Sequence, residues 1–210
     1  MRLAALLAEP GVDELLSLAG PVGFLALHGG GQDRVTDEIA CAAATRCGAS
    51  LYAVIQPATL RWHIPSYRYS PAESERLRTF VDHVRVVISV HGYGVDGWRM
   101  DWRPPGFDAT RLGQFHAREA FLLGGRNRVR AADLASRLRT ALPGYEVWDD
   151  LDRIPPKAAG QDPRNPVNLP SGGGVQVECP ARVRGLGPRA APADTAVLIE
   201  VLAETATSWM

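Results

Sequence analysis

A chain of 210 residues supports one substantial domain, here 1–210, rather than two. Its 23 basic and 23 acidic residues cancel, so no long-range field draws it toward nucleic acid or a membrane, and neither is expected as a partner. No stretch approaches the roughly 18 apolar residues of a membrane span. The opening MRLAALLAEPGVDELLSLAG breaks its apolar run at Glu9 and Pro10, unlike a secretory signal, and a cytoplasmic protein is expected.

Residues 22–27, VGFLAL, read as a buried strand ending at His28, and three glycines at 29–31 as a sharp turn. A helix is expected over 36–46, with Cys41 and Cys47 packed on it, then a strand over 50–55 and a helix over 72–83. VRVVISV, 84–90, is the clearest strand, rich in Val and Ile with weak alternation, and ends at His91. Residues 92–110, with Trp98 and Trp102, read as loop; 120–123 as a short strand before Gly124-Gly125; 128–142 as an amphipathic helix with Leu134, Leu138 and Leu142 on one side. A strand over 145–148, a Pro- and Gly-rich loop over 153–174, a strand over 174–179 and a closing helix over 192–206 follow. Val197, Leu198, Val201 and Leu202 form that helix's expected apolar stripe. The alternation predicts an α/β fold: one mostly parallel or mixed sheet flanked by helices. Three cysteines without a CxxC pair make a disulfide framework or thiolate cage an unsuitable reading.

Function in such sheets gathers at the carboxyl ends of strands. His28 and His91 share a grammar there: strand, then His, then Gly. Neutral imidazole is a preferred zinc ligand, and a catalytic zinc takes three protein ligands, so one zinc ion is expected with a carboxylate completing the set. Asp33, five residues after His28, and Glu38, ten after it, are the two candidates. Glu178 in VQVEC lies on the strand face opposite to Val175, Val177 and Cys179, where a buried carboxylate needs a function or a partner; it is the candidate general base. Arg164 or Arg126 could clamp a substrate carboxylate, Asn165 or Asn168 orient it, and His63 touch it. His83 and His116 fall in helical patterns and are set aside.

These segments, in order, resemble the poly-γ-glutamate hydrolase family, zinc enzymes with a carboxypeptidase-like fold. The resemblance rests on His28-Gly29-Gly30-Gly31 with Asp33 and Glu38 following, Trp62-His63-Ile64-Pro65-Ser66, Ser89-Val90-His91-Gly92, Gly124-Gly125, and Gly174-Val175-Gln176-Val177-Glu178, across residues 22 to 184. It implies a single zinc on His28, Asp33 and His91, Glu178 as general base, and a peptide or γ-glutamyl substrate. The chain departs from the family pattern in carrying Asp33 where Glu is usual, and Asn168-Leu169-Pro170 where Asn-Arg-Gly is expected.

Three rival readings have sequence support. His-Gly-Gly-Gly also marks an esterase oxyanion loop, but no Gly-x-Ser-x-Gly elbow accompanies it. Gly92–Gly97 matches GxGxxG, yet WRMDWRPPG follows, which cannot open a normal phosphate-binding helix. A carboxypeptidase-like binding protein with impaired catalysis has the Asp33 departure in its favour; zinc content and the turnover of a Glu178→Gln variant separate it from a hydrolase.

Overall fold

The computed structural model describes residues 2–94 and 120–210. Seven strands form one mixed sheet: β1 (Asp13–Ser17), β2 (Val22–Gly30), β3 (Ser50–Gln56), β4 (Val86–Tyr93), β5 (Ala120–Gly124), β6 (Glu146–Trp148) and β7 (Gly174–Pro180), in the order β1-β3-β2-β4-β7-β5-β6. The central four, β3-β2-β4-β7, are parallel; β1 and β5 pair antiparallel to β3 and β7, and β6 runs parallel to β5. The sheet is therefore mixed, with its parallel centre buried on both faces. That is why VRVVISV shows little alternation.

Among the described residues five α-helices accompany it: α1 (Leu3–Leu7), α2 (Thr36–Cys47), α3 (Glu75–His83), α4 (Arg128–Ala141) and α5 (Pro192–Trp209). One apolar layer joins Phe24, Ala26, Ile88, Val90, Val175 and Val177 to α2, α4 and α5. The other joins Leu25, Leu27, Tyr52, Val54 and Val87 to α1, α3, Ile64 and Tyr69. Ser74 caps α3 by accepting from the Leu77 amide at 2.9 Å, and Asn127 caps α4 through Arg130 at 3.0 Å. Such caps satisfy amides that the first turn leaves without partners.

Several expected boundaries move. α1 and β1 were not legible, the helix expected from residue 72 starts at Glu75, and the closing helix runs on to Trp209. Val197 is exposed; the buried stripe is Leu198, Val201, Leu202, Ala206 and Trp209. Cys47 is half-buried and packs against the α2 layer as expected, Cys41 is exposed instead, and all three cysteines are free. Neither histidine ends its strand. β2 continues through Gly30 and β4 through Tyr93, so Gly92 and Tyr93 are strand, not loop. The rest of the expected 92–110 loop from residue 95, with Trp98, Trp102 and the end of the GxGxxG match, lies outside the described residues, as does His116. Among the described residues, no helix is long and apolar enough to cross a membrane.

Two features of β2 position the site. Gly30 has φ +68°, and a Cβ there would stand 2.1 Å from the Gln56 carbonyl oxygen, so glycine lets the strands close up. Between Ala26 and Gly29, β2 advances three residues while its partner β3 advances two, from Ala53 to Ile55. This bulge changes the side-chain phase. Phe24 and Ala26 point into the α2 layer, and strict alternation would send His28 after them. Instead His28 meets Ile64 and Tyr69 on the opposite face.

Candidate metal centre

β2 and β4 are neighbours, with Leu25 level with Ser89. The chain leaves β2 for β3 on one side and returns to β4 on the other. Their carboxyl ends flank a point where the winding reverses, the usual place for a ligand crevice. Here His28 Nδ1 lies 3.2 Å from His91 Nδ1, and Asp33 Oδ2 lies 3.4 Å and 3.6 Å from those nitrogens. Both imidazoles are almost fully buried.

The surroundings fix each member. The Ile64 carbonyl oxygen lies 2.8 Å from His28 Nε2 and can only accept, so Nε2 carries a proton and Nδ1 is left to ligate. Gln56 holds that loop by bonding both the amide and the carbonyl of Trp62. Ser89 Oγ lies 2.9 Å from His91 Nε2. Asp33 is brought in by a tight turn, its amide donating to the His28 carbonyl at 2.7 Å, and its Oδ2 accepts from the Gly92 amide at 3.2 Å. The turn brings the short Asp side chain to the two imidazoles. Val35, just after it, has φ +76°, a left-handed conformation costly for a β-branched residue. Glu38 is exposed on α2, outside the cluster.

Two neutral imidazole acceptors and a carboxylate facing one another repel unless a proton or a cation sits among them. A tetrahedral zinc with bonds of about 2.0–2.2 Å has ligand–ligand edges of about 3.3–3.6 Å. The observed triangle has that size, and each histidine has a partner on its far nitrogen, as zinc-ligating histidines do. The residues fit the metal. Without it, burial works against charge on both groups, but Asp33 and the Ile64 carbonyl raise the His28 pKa, while hydrogen bonds from His28 and His91 hold the Asp33 carboxyl far below its ordinary range.

Glu178 pairs with His91 across β7 and β4, and Gln176 with Ser89. All four point to the same face, opposite the α2 layer. Glu178 Oε1 accepts from Gln176 Nε2 at 3.0 Å; Gln176 also donates to the Ala158 carbonyl and accepts from Asn165 Nδ2 at 3.2 Å. Burial raises the Glu178 pKa, with His91 partly opposing it. A carboxyl so placed is suited to proton transfer.

These groups line a cavity of about 710 Å³ whose described wall also includes Arg34, Arg61, His63, Lys157 and Arg184. His63 sits with its ring centroid 5.1 Å from that of His28, its pKa lowered by burial and by the charge of His28. Asn165 is in the wall; Asn168, Arg126 and Arg164 are not. Asn168 ties its loop together by donating to the Gly160 and Asp162 carbonyls and accepting from the Arg126 amide. Arg164 is exposed, bidentate to Asp162 and 4.9 Å over the Tyr67 ring. Ser89 and Gln176, each two residues before a site residue on a strand, were findable from period-two alternation. The Ile64 carbonyl and Arg184 had no such signal.

A mixed sheet with helices on both faces and a His/Asp/His cluster at the rim of its parallel strands defines the carboxypeptidase-like fold class. A candidate carboxypeptidase from Burkholderia mallei shares the fold at a TM-score of 0.50 and 10% identity, over 98% of this chain and 66% of that one. More particularly, the chain belongs to the poly-gamma-glutamate hydrolase family, whose model matches residues 11–100 and 112–186. A bacteriophage poly-gamma-glutamate hydrolase superposes with a TM-score of 0.69 at 19% identity, covering 94% of this chain and 89% of that one. A zinc-free apo form of YNDL superposes at 0.70 with 24% identity, covering 95% and 91%. No curated protein sequence matches the chain.

Proposed function

We propose that this protein is a zinc-dependent amide hydrolase that cleaves γ-glutamyl bonds, as in poly-γ-glutamate, or related acidic peptide bonds. The observation that carries the reading is the triangle of His28, Asp33 and His91, with edges of 3.2, 3.4 and 3.6 Å. These residues would hold one ion. When bound, it supplies Lewis acidity, polarising the amide carbonyl and making water acidic enough to attack near neutral pH. Glu178 takes the proton from the attacking water and delivers it to the leaving nitrogen. Gln176 and Asn165 keep the Glu178 carboxyl on station. Family membership supports the γ-glutamyl linkage, and the basic wall of Arg34, Arg61 and Lys157 supports an acidic substrate. The substrate contacts expected of Arg164 and Arg126 fall instead to Arg61 and Lys157, with His63 on the same wall.

The experiment is elemental analysis of the purified protein combined with amine release from γ-glutamyl peptides. The expected result is about one zinc per chain, activity lost to a chelator and restored by zinc. Metal-free protein with chelator-resistant activity would refute the proposal. Zinc binding without turnover would favour a binding protein instead.

A further inference from the structure

Arg184 follows β7 in a 3₁₀ turn, Arg182–Arg184, and is 3% exposed. Its Nη1 donates to the Arg34 carbonyl at 2.7 Å, its Nη2 to the Tyr93 carbonyl at 2.7 Å, and its Nε to the Cys179 carbonyl at 3.2 Å. Those carbonyls lie one residue beyond Asp33, two beyond His91 and one beyond Glu178. One planar guanidinium therefore grips, in a fixed fork, the three backbone segments that carry two members of the metal triangle and the candidate base. Gly92 makes the grip possible. A Cβ there would lie 2.5 Å from Arg184 Cζ, and the Gly92 amide itself donates to Asp33 Oδ2.

We propose that Arg184 is a positioning residue that sets zinc affinity by holding the Asp33 turn against the ends of β4 and β7. This rests on the metal reading above. A lysine ammonium also has three donors, but they radiate from one nitrogen, so it keeps the charge and not the planar fork that reaches these three carbonyls. Asp33 reaches the site on a turn that includes the strained Val35, so its place depends on what holds the Arg34 carbonyl. A residue acting only on global stability would lower the melting temperature without changing affinity.

The test uses Arg184→Lys and, as a variant that keeps the arginine but adds a methyl where its guanidinium lies, Gly92→Ala. Zinc affinity is measured by competition with a chromophoric chelator, and melting is followed with and without zinc. Each variant is expected to bind zinc about tenfold or more weakly, the range seen when outer partners of a metal site are lost. The zinc-induced rise in melting temperature shrinks in step. The two losses do not add in the double variant, because both remove the same contact. Affinities within about twofold of the parent, or fully additive losses, overturn the proposal even if melting falls. A parent protein that takes up no zinc refutes the metal reading itself, a separate outcome.

Discussion

Glu178 stands level with His91 in the parallel pairing of β7 and β4, so the candidate base and a candidate metal ligand are held in fixed register by backbone hydrogen bonds rather than by a loop. Precision of this kind suits proton transfer, which is sensitive to small displacements.

Glu178→Gln is expected to keep its zinc and lose turnover by about 10²- to 10⁴-fold, with little change in KM. The amide can still accept from Gln176, so the fold is retained. Steady-state amine release alongside metal analysis checks this; full activity in the variant would remove Glu178 from the mechanism.

The same substitution has a stability consequence in metal-free protein. Burial raises the Glu178 pKa, so the folded chain binds this proton more tightly than the unfolded chain. Stability is then highest below the ordinary glutamate value and falls as pH rises toward the raised folded value. Glu178→Gln should therefore melt above the parent at pH 7, and the gap should close as pH drops toward 4. Melting curves in chelator across that window provide the check.

Asp33→Ala should cost more zinc affinity than the about 10- to 100-fold typical of outer partners, because it removes one corner of the triangle. Glu38→Ala, on the exposed face of α2, should leave zinc stoichiometry and affinity unchanged. Chelator competition on both variants decides which carboxylate the metal uses.

Arg61→Ala should raise KM for an acidic substrate by about ten- to a hundredfold, the worth of one charge-assisted hydrogen bond. Arg164→Ala should change it by less than about threefold, since that side chain is exposed, paired with Asp162 and outside the cavity wall. Steady-state kinetics on γ-glutamyl peptides compares the two.

Tyr69 packs edge-on to His28 with 5.5 Å between ring centroids, and its buried hydroxyl has no hydrogen-bond partner among the described residues. Tyr69→Phe should leave metal-free stability unchanged or raise it by about 1 kcal/mol. Tyr69→Ala should lower it by about 3–5 kcal/mol through the cavity it opens. Urea denaturation measures both.

The histidines and Asp33 were legible because strand hydrophobicity and glycine placement announce where a chain turns at a sheet rim. Glu178 was legible because a carboxylate in an apolar strand needs a reason. The order of strands was not, since pairing partners leave little trace in local pattern; nor was β1, whose Asp13 and Glu14 disguise an edge strand. The arginines failed for a different reason. Which of several flexible side chains enters a cavity depends on loop closure, and Arg184 acts on backbone carbonyls that any sequence would offer.

The bulge in β2 makes the candidate site depend on the path of one strand. Straightened with Leu27 and His28 both in place, β2 would follow the regular pleat and swing the first imidazole into the oily layer beneath α2, leaving the other two groups without their third corner.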